Sequence, residues 1–161
     1  MSVETLGGRP QEDLHPIQYE KALICTTSEY SVKLMVSYSS ACDGDFLMTM
    51  VLLSVSLGGT QHLRNRVART DDFDGRFYRD DLRRPVSISS IARSLDVAIE
   101  TVRRKCARLV ELGLMNRTAN GQVVVMSASL ARAEIEAAVR RNRTALHVML
   151  EQIDRTPHAF R

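Results

Sequence analysis

Four cations fall within six residues, at Arg103, Arg104, Lys105 and Arg108. An arginine fork matches the paired acceptors of guanine, and both arginine and lysine attract phosphate oxygens. The surroundings strengthen that reading. From Arg83 to Arg117 eight basic residues (Arg83, Arg84, Arg93, Arg103, Arg104, Lys105, Arg108, Arg117) stand against three acids (Asp96, Glu100, Glu111). The chain as a whole carries only +3, so the remainder is slightly acidic. A basic segment inside a near-neutral chain is the distribution that phosphate attraction requires.

Other chemistries find little support in the residue pattern. His15, His62, His147 and His158 are scattered, and the chain has no HExxH, no nucleophile elbow and no glycine-rich phosphate loop. An enzyme is not expected, and no cofactor or metal is assigned. The aspartates Asp71, Asp72, Asp74, Asp80 and Asp81 are wrongly spaced for a calcium loop and lack its bidentate glutamate. They predict a solvated loop with Phe73, Phe77 or Tyr78 pinned to the core. Cys25, Cys42 and Cys106 are odd in number and form no CxxC pair. They read as reduced core thiols of a cytoplasmic protein, with a redox sensor as the alternative.

The basic residues need elements to hold them. Ser87 can cap a short helix over Ile88–Leu95, with Ile91, Ala92 and Leu95 inward. Asp96-Val97 makes a tight turn. A second helix begins near Ala98 or Ile99. Its inward stripe is Val102, Cys106, Leu109 and Val110, and its outer face is basic. Gly113 suits the position just past its end. Leu114–Arg117 and Val123–Met126 then read as strands joined at Asn120-Gly121, a type I′ turn signal. Arg117, Asn120 and Gln122 lie near that hairpin tip, within reach of a nucleic-acid backbone or minor groove.

Two helices joined by a short turn, the second basic outside, form the helix-turn-helix arrangement, whose second helix enters the major groove. The stretches Ser87-Ile88-Ser89-Ser90-Ile91-Ala92-Arg93-Ser94-Leu95, Glu100-Thr101-Val102-Arg103-Arg104 and Leu109-Val110-Glu111-Leu112-Gly113-Leu114 resemble the winged helix-turn-helix of bacterial transcription regulators of the IclR, GntR and MarR type. The resemblance covers about a quarter of the chain. It implies that Ala98, Ile99, Thr101, Arg103 and Arg104 face base edges, with Arg104 the first choice for reading a base and Arg103 the second. Ser87, Ser89 and Arg108 are better placed for phosphates, which set affinity more than sequence choice. Two positions depart from the pattern: Asp96 replaces the usual turn glycine, and Ala98 replaces the usual Ser or Thr cap.

The flanks predict helices. Residues 1–16 read as a mobile tail without the basic and apolar regions of a signal peptide. Ile17–Cys25 is a first helix. Thr26-Thr27-Ser28-Glu29 fits a capping box, opening a second helix to about Ser40 with Val32, Met35, Val36 and Ser39 as its buried stripe. Asp43 or Asp45 can cap the next, Phe46–Leu57, which is apolar all round and central to the core. It is too short for a membrane span, and none is expected. Gly58-Gly59 ends or kinks it, and Gln61–Val67 can continue as helix. Leu130–Ile153 reads as one long helix. Its heptad seam of Ile135, Val139, Asn142, Leu146, Met149 and Ile153 predicts dimerisation, with Asn142 selecting register. Packing of that seam on the chain's own N-terminal helices is the alternative.

The expected fold is mainly α with a small β-wing: a helical region over 17–82, a winged helix-turn-helix over 83–127 and a dimerisation helix over 128–161. The expected function is sequence-specific double-stranded DNA binding by a cytoplasmic, nucleoid-associated homodimeric regulator. The competing reading is a winged-helix protein-interaction module that does not bind DNA. A small-molecule effector has room between the Phe46–Leu57 helix and the DNA module, but its chemistry is not specified.

Overall fold

A computed structural model describes residues 16–156. The tail expected over 1–16, apart from Pro16, lies outside the described residues, as do His15 and His158. The described chain is mainly helical, with two small antiparallel sheets.

Helix α1 runs unbroken from Pro16 to Ser39, which corrects the expected start at Thr26. The hydroxyls there turn back onto the helix instead of capping a new one. Thr27 Oγ1 donates to the Leu23 carbonyl at 2.7 Å, and Ser31 Oγ to the Thr27 carbonyl at 2.8 Å. Back-bonding of this kind lets Ser and Thr continue a helix. The expected stripe is also only partly right. Ser39 is buried and Met35 half-buried, but Val32 and Val36 are exposed. Ser37 is buried in their stead. Cys25 is exposed, unlike the buried Cys42 and Cys106.

A single 3₁₀ turn (Ser40–Cys42) and the left-handed residues Asp43 (φ 51°) and Gly44 (φ 76°) reverse the chain. Asp45 then caps α2 (Phe46–Thr60) by accepting from the Met48 amide at 2.8 Å. Met48, Val51, Leu52 and Val55 enter the core, and α2 packs on α1, α3 and α4. With the turn that follows it, α2 makes an apolar stretch of 18 residues, Phe46–Leu63, at mean hydropathy 1.3, longer than the run expected from sequence and long enough by length and composition alone to cross a membrane. In the fold this segment is the core helix. Gly58 and Gly59 neither end nor break it. They admit a crossing chain: Arg84 N donates to Gly59 O at 3.0 Å, and a Cβ at Gly59 would meet Arg84 O at 3.1 Å. Beyond Thr60 only the 3₁₀ turn Gln61–Leu63 follows, so no helix reaches Val67.

The aspartate-rich stretch is more ordered than a solvated loop. Strands β1 (Phe73–Asp74) and β2 (Phe77–Tyr78) pair antiparallel, Phe73 opposite Tyr78, around Gly75 at φ 63°. The Phe73 and Tyr78 rings stack at 4.7 Å. Asp72 is buried, accepts from the Arg69 amide at 2.8 Å and pairs with Arg66. These contacts hold its carboxyl below the usual range.

Helices α3 (Ile88–Leu95) and α4 (Ile99–Glu111) follow. Strands β3 (Asn116–Arg117) and β4 (Val123–Val124) pair antiparallel and are shorter than predicted. Val86 adds a bridge to Val123, with amides donating both ways at 2.8 and 2.9 Å. Asn120 does not adopt positive φ; only Gly121 does, at 74°. Thr118 and Gln122 close the loop, the Thr118 amide donating at 2.9 Å. The hairpin is therefore not type I′. It matches a three-residue loop with glycine at the left-handed position.

The predicted long helix is present as one unbroken element, starting a few residues later than Leu130. Short α5 (Ser127–Leu130) precedes α6 (Ala133–Arg155). Asp80 fixes the start of α5, accepting from the Ser127 amide at 2.6 Å and its hydroxyl at 3.1 Å. Helix α6 lies along α1. The heptad seam faces inward here: Ile135 is core, Val139 packs on the core, and Asn142, Leu146, Met149 and Ile153 are half-buried. Packing of α6 along the chain's own α1 is the arrangement that the sequence left as the alternative. One core joins Val51 and Leu52 to Ile91, Val102, Leu109, Val123 and Ile135. The boundary near Arg83 is thus a change of chemistry along the chain, not a division of the core.

Candidate nucleic-acid interface

The turn between α3 and α4 has local causes. Ser87 Oγ accepts from the Ser90 amide at 3.1 Å and so caps α3. At the other end Asp96 adopts φ 52°, ψ 46°, and the Val97 amide donates to the Ala92 carbonyl at 3.0 Å. This is the left-handed C-terminal motif, which usually takes glycine; a short Asx side chain tolerates it. Ala98 offers α4 no side-chain cap, so the first-turn amides have no such acceptor. At the far end Gly113, at φ 70°, lets the Leu114 amide reach the Leu109 carbonyl at 2.9 Å.

Val102, Cys106 and Leu109 are fully buried and anchor one side of α4. At roughly 100° per residue, Arg104 lies nearly opposite them, with Ala107 and Arg108 beside it. All three are exposed. Ile99 is exposed at the start of the helix, and Thr101 is half-buried.

The cations differ in what holds them. Arg103 pairs with Glu100 on its own helix. Lys105 pairs with Asp45, and Arg108 with Asp43 at 3.0 Å and Glu111 at 3.2 Å. Among the described residues, Arg104 is the one cation of α4 with no carboxylate partner. The Lys105 ammonium and the Met48 amide hold the Asp45 carboxyl below its ordinary range. Asp43 and Glu111 raise the Arg108 guanidinium further. Asp43 and Asp45 read in the sequence as helix caps alone. Their reach to α4 spans 65 and 60 residues and has no local signal.

The other predicted positions are dispersed. Ser87 is committed to its cap and to contacts with Ser89 and Ser90 at 3.1 and 2.8 Å; Ser89 is exposed. Arg117 and Asn120 are exposed on the β3–β4 hairpin, and Gln122 is half-buried. Ile99 through Arg108 thus share one helix with Ala98 at its N-cap, while the serines and the hairpin residues lie on neighbouring elements. Arg83, counted among the basic residues, does not face solvent: its side chain is 3% exposed. Among the described residues, no three metal-ligating side chains converge. No family model, curated protein or solved structure matches this chain.

Proposed function

We propose that the chain is a homodimeric transcription regulator that binds specific sequences of double-stranded DNA. In this reading α3, α4 and the β3–β4 hairpin form a winged helix-turn-helix. The observation that carries it is Arg104, unpaired at the centre of the exposed face of a helix that follows a tight turn. A second helix so presented is the geometry that enters a major groove. Arg104 reads a base edge, with Ala98, Ile99 and Thr101 beside it. Arg103 is the second choice, since Glu100 already holds it. Arg108, Ser87 and Ser89 meet phosphates, and Arg117, Asn120 and Gln122 follow the backbone or minor groove. The uncapped amides of α4 suit a phosphate oxygen.

The dimer finds support in side chains that the monomer leaves in solvent. Ile24, Val32 and Val36 on α1 and Val148 and Leu150 on α6 are exposed. A second copy covers these outward faces, while the heptad seam stays between α1 and α6 of each chain. Two-fold pairing gives two recognition helices for two half-sites. A cytoplasmic, nucleoid-associated location follows from this role. Selection of sites from random duplexes tests the reading: it predicts a recovered motif with paired half-sites. Recovery of no motif, or a monomer in light scattering at micromolar concentration, would count against it.

One observation favours the second reading, a protein-interaction module. Three of the four clustered cations already have carboxylate partners. The Arg103 and Arg108 pairs are solvent-exposed and the Lys105–Asp45 pair is half-exposed; an exposed ion pair contributes only about 0–1 kcal/mol. Phosphates can displace such partners, so the DNA-binding reading stands first.

A further inference from the structure

A cavity of about 210 Å³ lies between α1, α2, the β1–β2 hairpin and α6. Its wall combines Tyr38, Phe73 and Phe77 with Ser56 and two cations, Arg76 and Arg83. No carboxylate lines it. We propose that this cavity binds a small organic acid: one carboxylate on an aromatic or short apolar body of roughly ten non-hydrogen atoms.

The two halves of that ligand follow from the two kinds of wall. Aromatic rings in the wall favour a flat apolar body that can stack on them. A charge that enters must be negative, because arginines are the only charged side chains in the wall. Arg83 is the stronger anchor. It is buried, and its two contacts, the Tyr78 carbonyl at 3.1 Å and Asp80 at 3.5 Å, are both made through Nε. Those contacts orient the guanidinium from one edge. Arg76 is exposed and supplies a second charge at the mouth. Burial also pushes the Tyr38 phenol up, so it stays a neutral hydroxyl donor. Charge-assisted hydrogen bonds to such donors are stronger than neutral ones.

The site has a direct structural path to the basic helices. Arg83 leads straight into Arg84, whose amide bonds Gly59 of α2, and then into Val86, which bridges Val123. Asp80, its ion-pair partner, holds the start of α5. The binding proposal does not depend on the DNA-binding reading; only an effect on DNA would.

The test uses the full chain without DNA. Benzoate, hexanoate and the neutral benzamide are titrated by calorimetry and by saturation-transfer NMR. The expected result is saturable one-site binding of benzoate, about tenfold or more tighter than benzamide. Arg76→Ala, at an exposed position, is expected to weaken benzoate several-fold while leaving benzamide unchanged. Ser56→Phe, which fills the cavity, is expected to abolish binding; near-UV and thermal melts confirm that each variant is folded. If Ser56→Phe does not fold, Leu53→Met and Arg76→Ala carry the comparison. Equal affinity for benzoate and benzamide would overturn the proposal. So would no saturable binding of either acid up to tens of millimolar, or full binding by a folded Ser56→Phe chain. Loss of DNA binding in a separate titration bears on the other reading alone.

Discussion

In the α3–turn–α4 unit each bend has a cause within four or five residues: Ser87 caps, Asp96 turns, Gly113 stops. In the α1–α6 pair the contacts join residues far apart, as when Arg141 donates to the Ser37 carbonyl across 104 positions. The first unit presents its polar face outward and buries a tight apolar stripe. The second leaves Ile24, Val32 and Val36 in solvent and encloses a polar side chain, Asn142, whose Oδ1 has no hydrogen-bond partner among the described residues. A locally specified unit turns its polar face to solvent; the unit specified at long range leaves apolar side chains there.

The comparison is tested most severely at Leu109, which is fully buried where α4 meets the shared core. Leu109→Ala is expected to cost about 2–5 kcal/mol in chemical denaturation. A loss near zero would mean that α4 is not anchored by that stripe. Arg104→Ala comes next. It is expected to leave stability unchanged and to cost about 1–3 kcal/mol of duplex affinity, with relaxed preference at one base position. Equal weakening on every sequence, read by competition binding, would move Arg104 from base reading to phosphate contact.

Asn142→Leu probes the other unit. Removing an unpaired buried acceptor is expected to stabilise the fold by about 1 kcal/mol in thermal melts. A destabilised variant would show that Asn142 has a partner in the working assembly, as an interface residue would.

The smallest effect is expected at the junction of the two units, in Asp45→Asn. Asp45 has a depressed carboxyl in the folded chain, so its stabilising contribution is present above the ordinary carboxylate range. It is lost as pH falls through the depressed value. The variant is expected to show a flatter acid arm in stability against pH, with a change below about 1 kcal/mol at neutrality because the pair is partly solvent-screened. It is also expected to bind duplex more tightly, since Lys105 is released to phosphate. Unchanged or weaker binding would separate Lys105 from the DNA-facing surface.

What could be read from sequence follows the same division. Ser87, Asp96, Gly113 and the Val102–Cys106–Leu109 stripe act through neighbours one to four residues away, and the two helices follow from them. Thr26 shows where local logic fails: a capping-box pattern inside a helix whose hydroxyls find their own backbone carbonyls. Val32 and Val36 fit a buried stripe by spacing, but the face that packs is chosen by α6 and α2. The Asn120-Gly121 pair locates a hairpin without specifying which residue takes positive φ. The pairing of Asp43 and Asp45 with α4, and the burial of Arg83 beside an aromatic cavity, depend on segments brought together by the fold. Their residue types hint at charge, but nothing near them in the chain announces the partner.

The central claim is that the exposed face of α4 binds double-stranded DNA. It is tested most directly by titrating a labelled duplex with the full chain across a salt series. Each phosphate neutralised contributes about −0.9 to the slope of log affinity against log salt. The account predicts measurable binding whose affinity falls steeply as salt rises. An absence of binding at low salt, or an affinity that salt does not change, would contradict it.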